Sequence, residues 1–410
     1  MTPNIILTII ILITAFEFCL ETVLDLLNLN HKPEKLPTLL EGIYSEEEYK
    51  TSIGYQKINS YFGLLSSTIS TALMLCVFYF GWLGTLNTFL ANYASGIWLS
   101  LSFFGVAYLI SDIMSTPMSL YKQFVIEEKF GFNKMTIGTF IMDKIKGYVL
   151  AALLGGLLLG ALLWLIESIG TNFWIYFWAI AAVFMVFMNM FYTSIIVPLF
   201  NKLTPLEDGE LRQAITAYSK TVDFPLDNIY VVDGSKRSSK ANAYFSGIGK
   251  KKKIVLYDTL IENQTTEELV AVLAHEVGHF KRKHIISSMV ISILQMGAIL
   301  FLLSFFVGSE NISKALGASS LQVHLNLVAF SILFSPISTI IGIIMSLISR
   351  KNEYEADEYA ATTYDKNHIQ SALKKLSNHN MSNLTPHPAY VFVHYSHPTL
   401  LQRLTALEKY

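Results

Sequence analysis

Charge is scarce in this chain: Asp, Glu, Lys and Arg make up 15% of its 410 residues, against about 25% in an ordinary soluble domain. So little charge cannot cover a surface exposed to water. With 52% hydrophobic residues and a mean hydropathy of +0.44, the chain reads as a membrane protein in contact with lipid. Neither sign of charge is in excess. A net charge of −1 and a pI near 6.8 leave no electrostatic footprint for nucleic acid, and no such partner is expected. Cysteine is nearly absent. Cys19 and Cys76 both stand in apolar stretches, where they read as packing residues rather than a disulfide or metal ligands, and they say nothing about redox compartment.

Long apolar runs are what the chain has in abundance. Seven are long enough to cross about 30 Å of hydrocarbon: residues 4–27, 61–83, 97–120, 147–166, 173–197, 285–307 and 325–348. The first lacks the basic leader and the small-residue cleavage pattern of a signal peptide, so it counts as a span. Basic residues check the count. The first connection carries Lys32, Lys35, Lys50 and Lys57, and the third carries Lys122, Lys129, Lys134, Lys144 and Lys146. The fifth connection and the C-terminal tail are also basic, whereas the second and fourth have no Lys or Arg and the sixth has only Lys314. This alternation fits seven crossings with an outside N-terminus and a cytoplasmic C-terminus. The expected organisation is spans one to five over 1–197, a first catalytic segment over 198–284, spans six and seven over 285–348, and a second catalytic segment over 349–410.

His275, Glu276 and His279 spell H-E-x-x-H, directly before span six. Four residues apart on a helix, the two imidazoles share a face and can grip one zinc ion. Glu276 beside them can take a proton from metal-bound water, the apparatus of a zinc peptidase. Thr265 and Glu268 form a capping box that starts this helix. A catalytic zinc needs a third protein ligand and an open fourth position. Span seven returns to the same side just before Asn352-Glu-Tyr-Glu-Ala-Asp357, so Glu353 is expected as that ligand. Asp357, one turn further on, is spaced to accept the free N–H of a ligating histidine. Glu355 and Glu358 are expected to face elsewhere, in solvent.

Asn242, Ala243, Tyr244 and Phe245 lead through Gly247 and Gly249 to a second apolar run, Ile254 to Tyr257, a hairpin pattern. An edge strand beside the zinc could pair with an extended peptide, although a purely structural hairpin fits the residues equally well. Lys250, Lys251, Lys252 and Lys253 read as a solvated turn. Glu17 and Asp112 lie within or near apolar spans, where an ionisable group usually faces a bundle interior or a water-filled cavity.

The sequence resembles the CAAX prenyl protease 1 family of integral-membrane zinc metalloproteases over nearly its whole length. The resemblance is carried by six blocks: Phe124 to Lys134, Ile196 to Leu206, Ser238 to Gly247, Leu273 to His279, Asn352 to Asp357, and His397-Pro398-Thr-Leu-Leu-Gln-Arg403. It implies a mainly α fold, seven transmembrane helices arranged as a barrel around a large chamber, and a cytoplasmic zinc protease domain with a small β-hairpin or sheet. It further implies one Zn2+ per chain held by His275, His279 and Glu353, with Glu276 as general base and Asp357 behind the ligands. His397 and Arg403 would approach the metal from the C-terminal helix to stabilise the oxyanion or hold substrate, and Asn242 would contact substrate backbone.

The implied partners are a peptide or protein substrate, such as a prenylated C-terminal CAAX sequence, and membrane lipid. Nothing in the residues themselves shows prenyl recognition. The short connections and the absence of a C-terminal dilysine signal point to a bacterial plasma membrane, whereas a eukaryotic chain would belong in the endoplasmic reticulum or inner nuclear membrane. Two other readings stay open: a membrane quality-control protease of heat-shock type, which usually has fewer spans, and a zinc-binding membrane transporter or receptor. A transporter predicts internal repeats and ligands near the membrane midplane, and neither pattern is visible.

Overall fold

A computed structural model describes residues 1–31, 36–224, 229–246 and 253–410. The apolar runs become helices, because in lipid a helix satisfies its backbone N–H and C=O groups within its own segment. They begin with α1 (Pro3–Asn30), α2 (Glu46–Tyr79), α3 (Trp82–Leu90), α4 (Gly96–Tyr121, prolonged by a π turn over Lys122–Glu127), α5 (Ile137–Leu150), α6 (Gly156–Ile169) and α7 (Phe173–Ile195). The polar part follows as α8 (Val197–Phe200), β1 (Leu203–Pro205), α9 (Glu210–Thr221), β2 (Ile229–Val232), β3 (Ala243–Ser246), β4 (Lys253–Tyr257), α10 (Asp258–Asn263) and α11 (Thr266–Lys281). Apolar sequence returns in α12 (His284–Ser304) and α14 (Val323–Ala360), joined through the short polar α13 (Glu310–Ala315), before α15 (Lys366–His379), α16 (Pro388–His394) and α17 (Leu400–Leu407).

Among the described residues, six helical stretches are long and apolar enough to cross a membrane. The difference from seven lies in Ile137–Phe200, a single stretch of 64 residues that would extend about 96 Å as one helix. That is three times the hydrocarbon thickness of about 30 Å. Gly170 interrupts it with a φ of +65°, a left-handed conformation that side chains disfavour. Leu165 and Ile166 before the break pack with Phe173 after it. The sequence places its fourth and fifth spans on either side of this point.

Long stretches of three spans contribute nothing to a buried core. No residue of α2 is buried between Tyr55 and Phe78, none of α4 between Phe103 and the π turn, and none of α14 between Phe334 and Glu353. Contacts between neighbours run from α1 through α14, α12, α7 and α6 to α4, with α2 against α1 and linked to α4 by α3. The end away from the polar part is sealed by a core including Ile10, Phe78, Phe103 and Leu325. There His324 is fully buried and bonded on both ring nitrogens, to Ser100 Oγ at 3.0 Å and Asn87 Oδ1 at 2.9 Å. Asp112 is paired, since its carboxylate accepts bonds from Lys144 Nζ at 2.6 Å and from the Tyr148 hydroxyl, joining α4 to α5. One oxygen of Glu17 is shielded and has no hydrogen-bond partner.

One core serves the polar part, combining Ile215, Ile254, Leu256 and Leu273 with Ile369 and Leu407 from the far end of the chain. Its four-stranded sheet has the order β1-β2-β4-β3, with β2 parallel to β4 and the outer pairs antiparallel. The expected hairpin is present: Ala243 faces Leu256 and Ser246 faces Lys253. Its turn, with Lys250, Lys251 and Lys252, lies outside the described residues. Lys253 is not part of a solvated turn, because it belongs to β4 and its Nζ donates to Ser194 Oγ on α7 at 2.8 Å.

α11 and α14 approach so closely that a Cβ on Gly278 would lie 3.0 Å from Ala356 Cα and 3.1 Å from Ala356 O. Gly278→Val should therefore force the two helices apart. The expected result is a lower unfolding temperature, at a cost of about 1–3 kcal/mol, together with a reduced metal content measured by elemental analysis.

Candidate metal centre

α11 begins at the expected capping box: Thr265 Oγ1 accepts from the Glu268 N–H at 3.3 Å, and Glu268 Oε2 accepts from the Thr265 N–H at 2.8 Å. Leu269, Val270, Leu273, Ala274 and Val277 anchor the helix in the core, which holds His275 and His279 on one side. α14 does not stop at the membrane boundary expected near residue 348. It continues without a break through Glu353 and Asp357 to Ala360, carrying both carboxylates opposite α11.

His275 Nε2 and His279 Nε2 lie 3.1 Å apart, with Glu353 Oε2 3.4 Å from the first and Oε1 3.2 Å from the second. Candidate ligand atoms from all three residues fall within 4.8 Å of one another. Their partners determine the tautomers. His275 donates from Nδ1 to Asp357 Oδ1 at 2.9 Å, leaving a bare lone pair on Nε2. His284 donates from Nε2 to Glu355 Oε2 at 3.0 Å, so its Nδ1 can accept from His279 Nδ1 at 3.1 Å. That leaves His279 Nε2 bare as well. Two imidazole lone pairs and a carboxylate thus converge, and Glu353 Oε2 has no hydrogen bond although it is buried. Convergent acceptors repel unless a cation lies among them, so these residues fit a metal ion.

The preference for positive charge appears in His275 itself: burial opposes its charged form, yet the adjacent carboxylates of Asp357 and Glu353 outweigh burial and lift its pKa to about 9, so Nε2 draws either a proton or a metal ion. Asp357 is held in turn by Arg403, whose Nε and Nη2 donate to its two oxygens at 2.8 and 2.6 Å. Arg403 Nη1 lies 3.7 Å from Glu353 Oε2. Glu276 stands beside the histidines, and burial pushes its carboxyl above the usual range. His397 precedes α17 and is exposed; its Nδ1 lies 3.0 Å from Ser396 Oγ and its Nε2 3.5 Å from Glu353 Oε1.

Glu355 faces away from Glu353 as expected but is not merely solvated, because it accepts a bond from His284. The missed factor is Lys283, whose left-handed φ of 60° swings His284 back between His279 and Glu355. Glu358 does remain near the surface, 3.9 Å from Arg282.

A cavity of about 720 Å3 joins His279, His284 and Tyr244 to Met185, Met188 and Met289 of the spans. A second, of about 420 Å3, is bounded by His397, Arg403, Asn380 and Tyr395. The centre therefore borders both. β3 lies at the edge of the sheet, with one side paired to β4 and no strand on the other among the described residues. Ala243 and Phe245 belong to it, the latter described by its backbone only. Asn242 is exposed just before it, and its Oδ1 accepts from the Ala243 N–H at 2.9 Å.

Comparison with known proteins agrees with this architecture. Residues 25–202 match the family described as "CAAX prenyl protease N-terminal, five membrane helices", and residues 205–410 match "Peptidase family M48". The chain is 35% identical to CAAX prenyl protease 1 of Saccharomyces cerevisiae, covering 91% of this chain and 88% of that one. It is also 35% identical to the CAAX prenyl protease 1 homolog of Arabidopsis thaliana, over 95% of each. The crystal structure of S. mikatae Ste24p superposes with a TM-score of 0.94 at 34% identity, covering 98% of this chain and 99% of that one. These eukaryotic relatives overturn the expectation of a bacterial plasma membrane; an integral, multi-pass membrane location stands.

Two substitutions test the centre. Glu353→Ala should abolish stoichiometric metal after dialysis. His284→Ala should leave the ligands in place but weaken metal affinity by about 10- to 100-fold, measured by competition with a chromogenic chelator.

Proposed function

The chain belongs to peptidase family M48, with the membrane region of the CAAX prenyl proteases, and on that premise we propose that it removes the last three residues of a C-terminal CAAX sequence whose cysteine is prenylated. The observation that supports this reading most directly is the convergence of bare lone pairs from His275, His279 and Glu353 beside the carboxyl of Glu276. Two nitrogens, one carboxylate and a remaining open position are a donor set suited to catalytic zinc, one ion per chain. When bound, zinc polarises the scissile carbonyl and acidifies a water molecule.

The chain's own groups do the rest. β3 offers its free edge to an extended peptide, and its main-chain groups set that peptide's direction and register. Asn242, Ala243, Tyr244 and Phe245 form this contact. Glu276 takes the proton of the attacking water and delivers it to the leaving amine, so no covalent intermediate is needed. His397, exposed and aimed at the centre, donates to the carbonyl oxygen as charge gathers there. Arg403 acts one step back, because two of its nitrogens already bind Asp357 and through it orient His275. The two cavities give the peptide space on both sides of the scissile bond, with the catalytic part on the cytoplasmic face.

Glu276→Gln should retain metal at the wild-type ratio and lose about 10²- to 10⁴-fold in kcat; near-normal turnover would exclude Glu276 as the base. Substrate class is tested by incubating the purified protein with matched prenylated and unprenylated CAAX peptides, with and without chelator, and weighing the products. Chelator-sensitive release of the terminal tripeptide from the prenylated peptide is expected. Cleavage of both peptides at one rate would replace CAAX processing with broad membrane proteolysis.

A further inference from the structure

The segment that leads into β3 is fastened from two directions. On the membrane side, Asn133 bridges Ser238, the Lys134 N–H donates to Arg237 O at 3.1 Å, and the Ser239 N–H donates to Phe132 O at 3.1 Å. Arg237 grips both oxygens of Asp143 on α5 at 2.8 and 2.9 Å. On the other side, Asn380 pairs with both main-chain groups of Ala241, at 3.1 and 3.2 Å, and Thr259 Oγ1 donates to Lys240 O at 3.0 Å.

Lys240 lies between these fastenings. Its ammonium donates to Glu127 Oε2 at 2.9 Å and to the Tyr55 hydroxyl at 2.8 Å, while that hydroxyl donates to Glu127 Oε1 at 2.7 Å. The three groups close a ring of bonds, and the Phe132 face covers the ammonium at 4.5 Å. Tyr55 is 7% exposed and Glu127 8%, whereas the Lys240 side chain is 37% exposed, so the two acceptors are fixed in the interior and the lysine reaches in to them. Tyr55 belongs to α2 and Glu127 to the π turn that ends α4. Three residues after Lys240, β3 begins.

We propose that Lys240, held by Glu127 and Tyr55, is a positioning residue for peptide hydrolysis. It ties the start of the substrate-pairing edge strand to the cytoplasmic ends of α2 and α4, and so sets the register of the peptide against the metal. This rests on β3 being the strand that binds peptide. A strand free to slide would still hold a peptide but would present its carbonyl off the centre, and misplacement by about 1 Å can cost on the order of a hundredfold in rate.

The test compares wild type, Lys240→Met, Lys240→Arg and the double variant Glu127→Gln/Lys240→Met, which removes both charges of the pair together. Each is assayed for kcat and KM on a CAAX peptide, zinc per chain, and inhibition by a small hydroxamate that binds metal without reaching β3. Lys240→Met and the double variant should lose about ten- to a hundredfold in kcat/KM, with zinc content and hydroxamate affinity unchanged and with activity largely restored in Lys240→Arg. Unchanged kcat/KM in the double variant would overturn the proposal. So would zinc content or hydroxamate affinity falling in parallel with activity, which marks a merely structural role. If wild type cleaves no peptide while binding zinc and hydroxamate, the underlying peptidase reading fails instead.

Discussion

Two imidazole nitrogens and a carboxylate aim their lone pairs at one point in the interior of this protein, an arrangement that is repulsive until a cation completes it. Everything around the centre serves to hold that convergence. Asp357 turns one ring and the His284–Glu355 pair turns the other, each by accepting the hydrogen on the nitrogen that faces away. Arg403 then neutralises Asp357, so that a buried negative group does not stand alone beside Glu353. The histidines come from α11 and the carboxylates from α14, and the two helices can approach this closely only because position 278 has no side chain.

The membrane part is organised around the same need to bring distant segments together. α14 crosses the apolar region and continues directly into the catalytic part, so the third ligand candidate is carried on a rigid rod whose far end is fixed among Leu325, Phe103 and Ile10. Polar fastenings join segments far apart in the chain, His324 with Asn87 and Ser100 at one end and Lys240 with Tyr55 and Glu127 at the other, and resist sliding where apolar contact alone would permit it.

The cavity beside His279 brings span residues and the edge strand to the same place. That strand is thus the meeting point of the two halves of the molecule. Its neighbours carry the anchoring: its partner β4 is tied to α7 through Lys253, and the segment leading into β3 is tied to α2 and to the π turn after α4 through Lys240.

Much was legible in the linear chain. Residues that interact across one helical turn or one hairpin are readable from spacing alone: the capping box at Thr265, the shared face of His275 and His279, the pairing of residues 243–246 with 253–257, and the apolar spans. Spacing also placed Glu353 and Asp357 on one face of one helix. It did not reveal that span seven and the ligand helix are a single rod, because the change from apolar to charged residues marks where lipid ends and not where hydrogen bonding along the helix ends. Nor could it place Glu355 against His284, Arg403 against Asp357, or Lys240 against Glu127. Those pairs join segments far apart in the chain, and their distances are decided by how helices pack and where a residue such as Lys283 turns the backbone. The sequence by itself determined which groups could bind a metal and which segments belong in lipid; only the tertiary structure decided which charged groups neutralise one another, because burial makes that choice through geometry that no local pattern encodes.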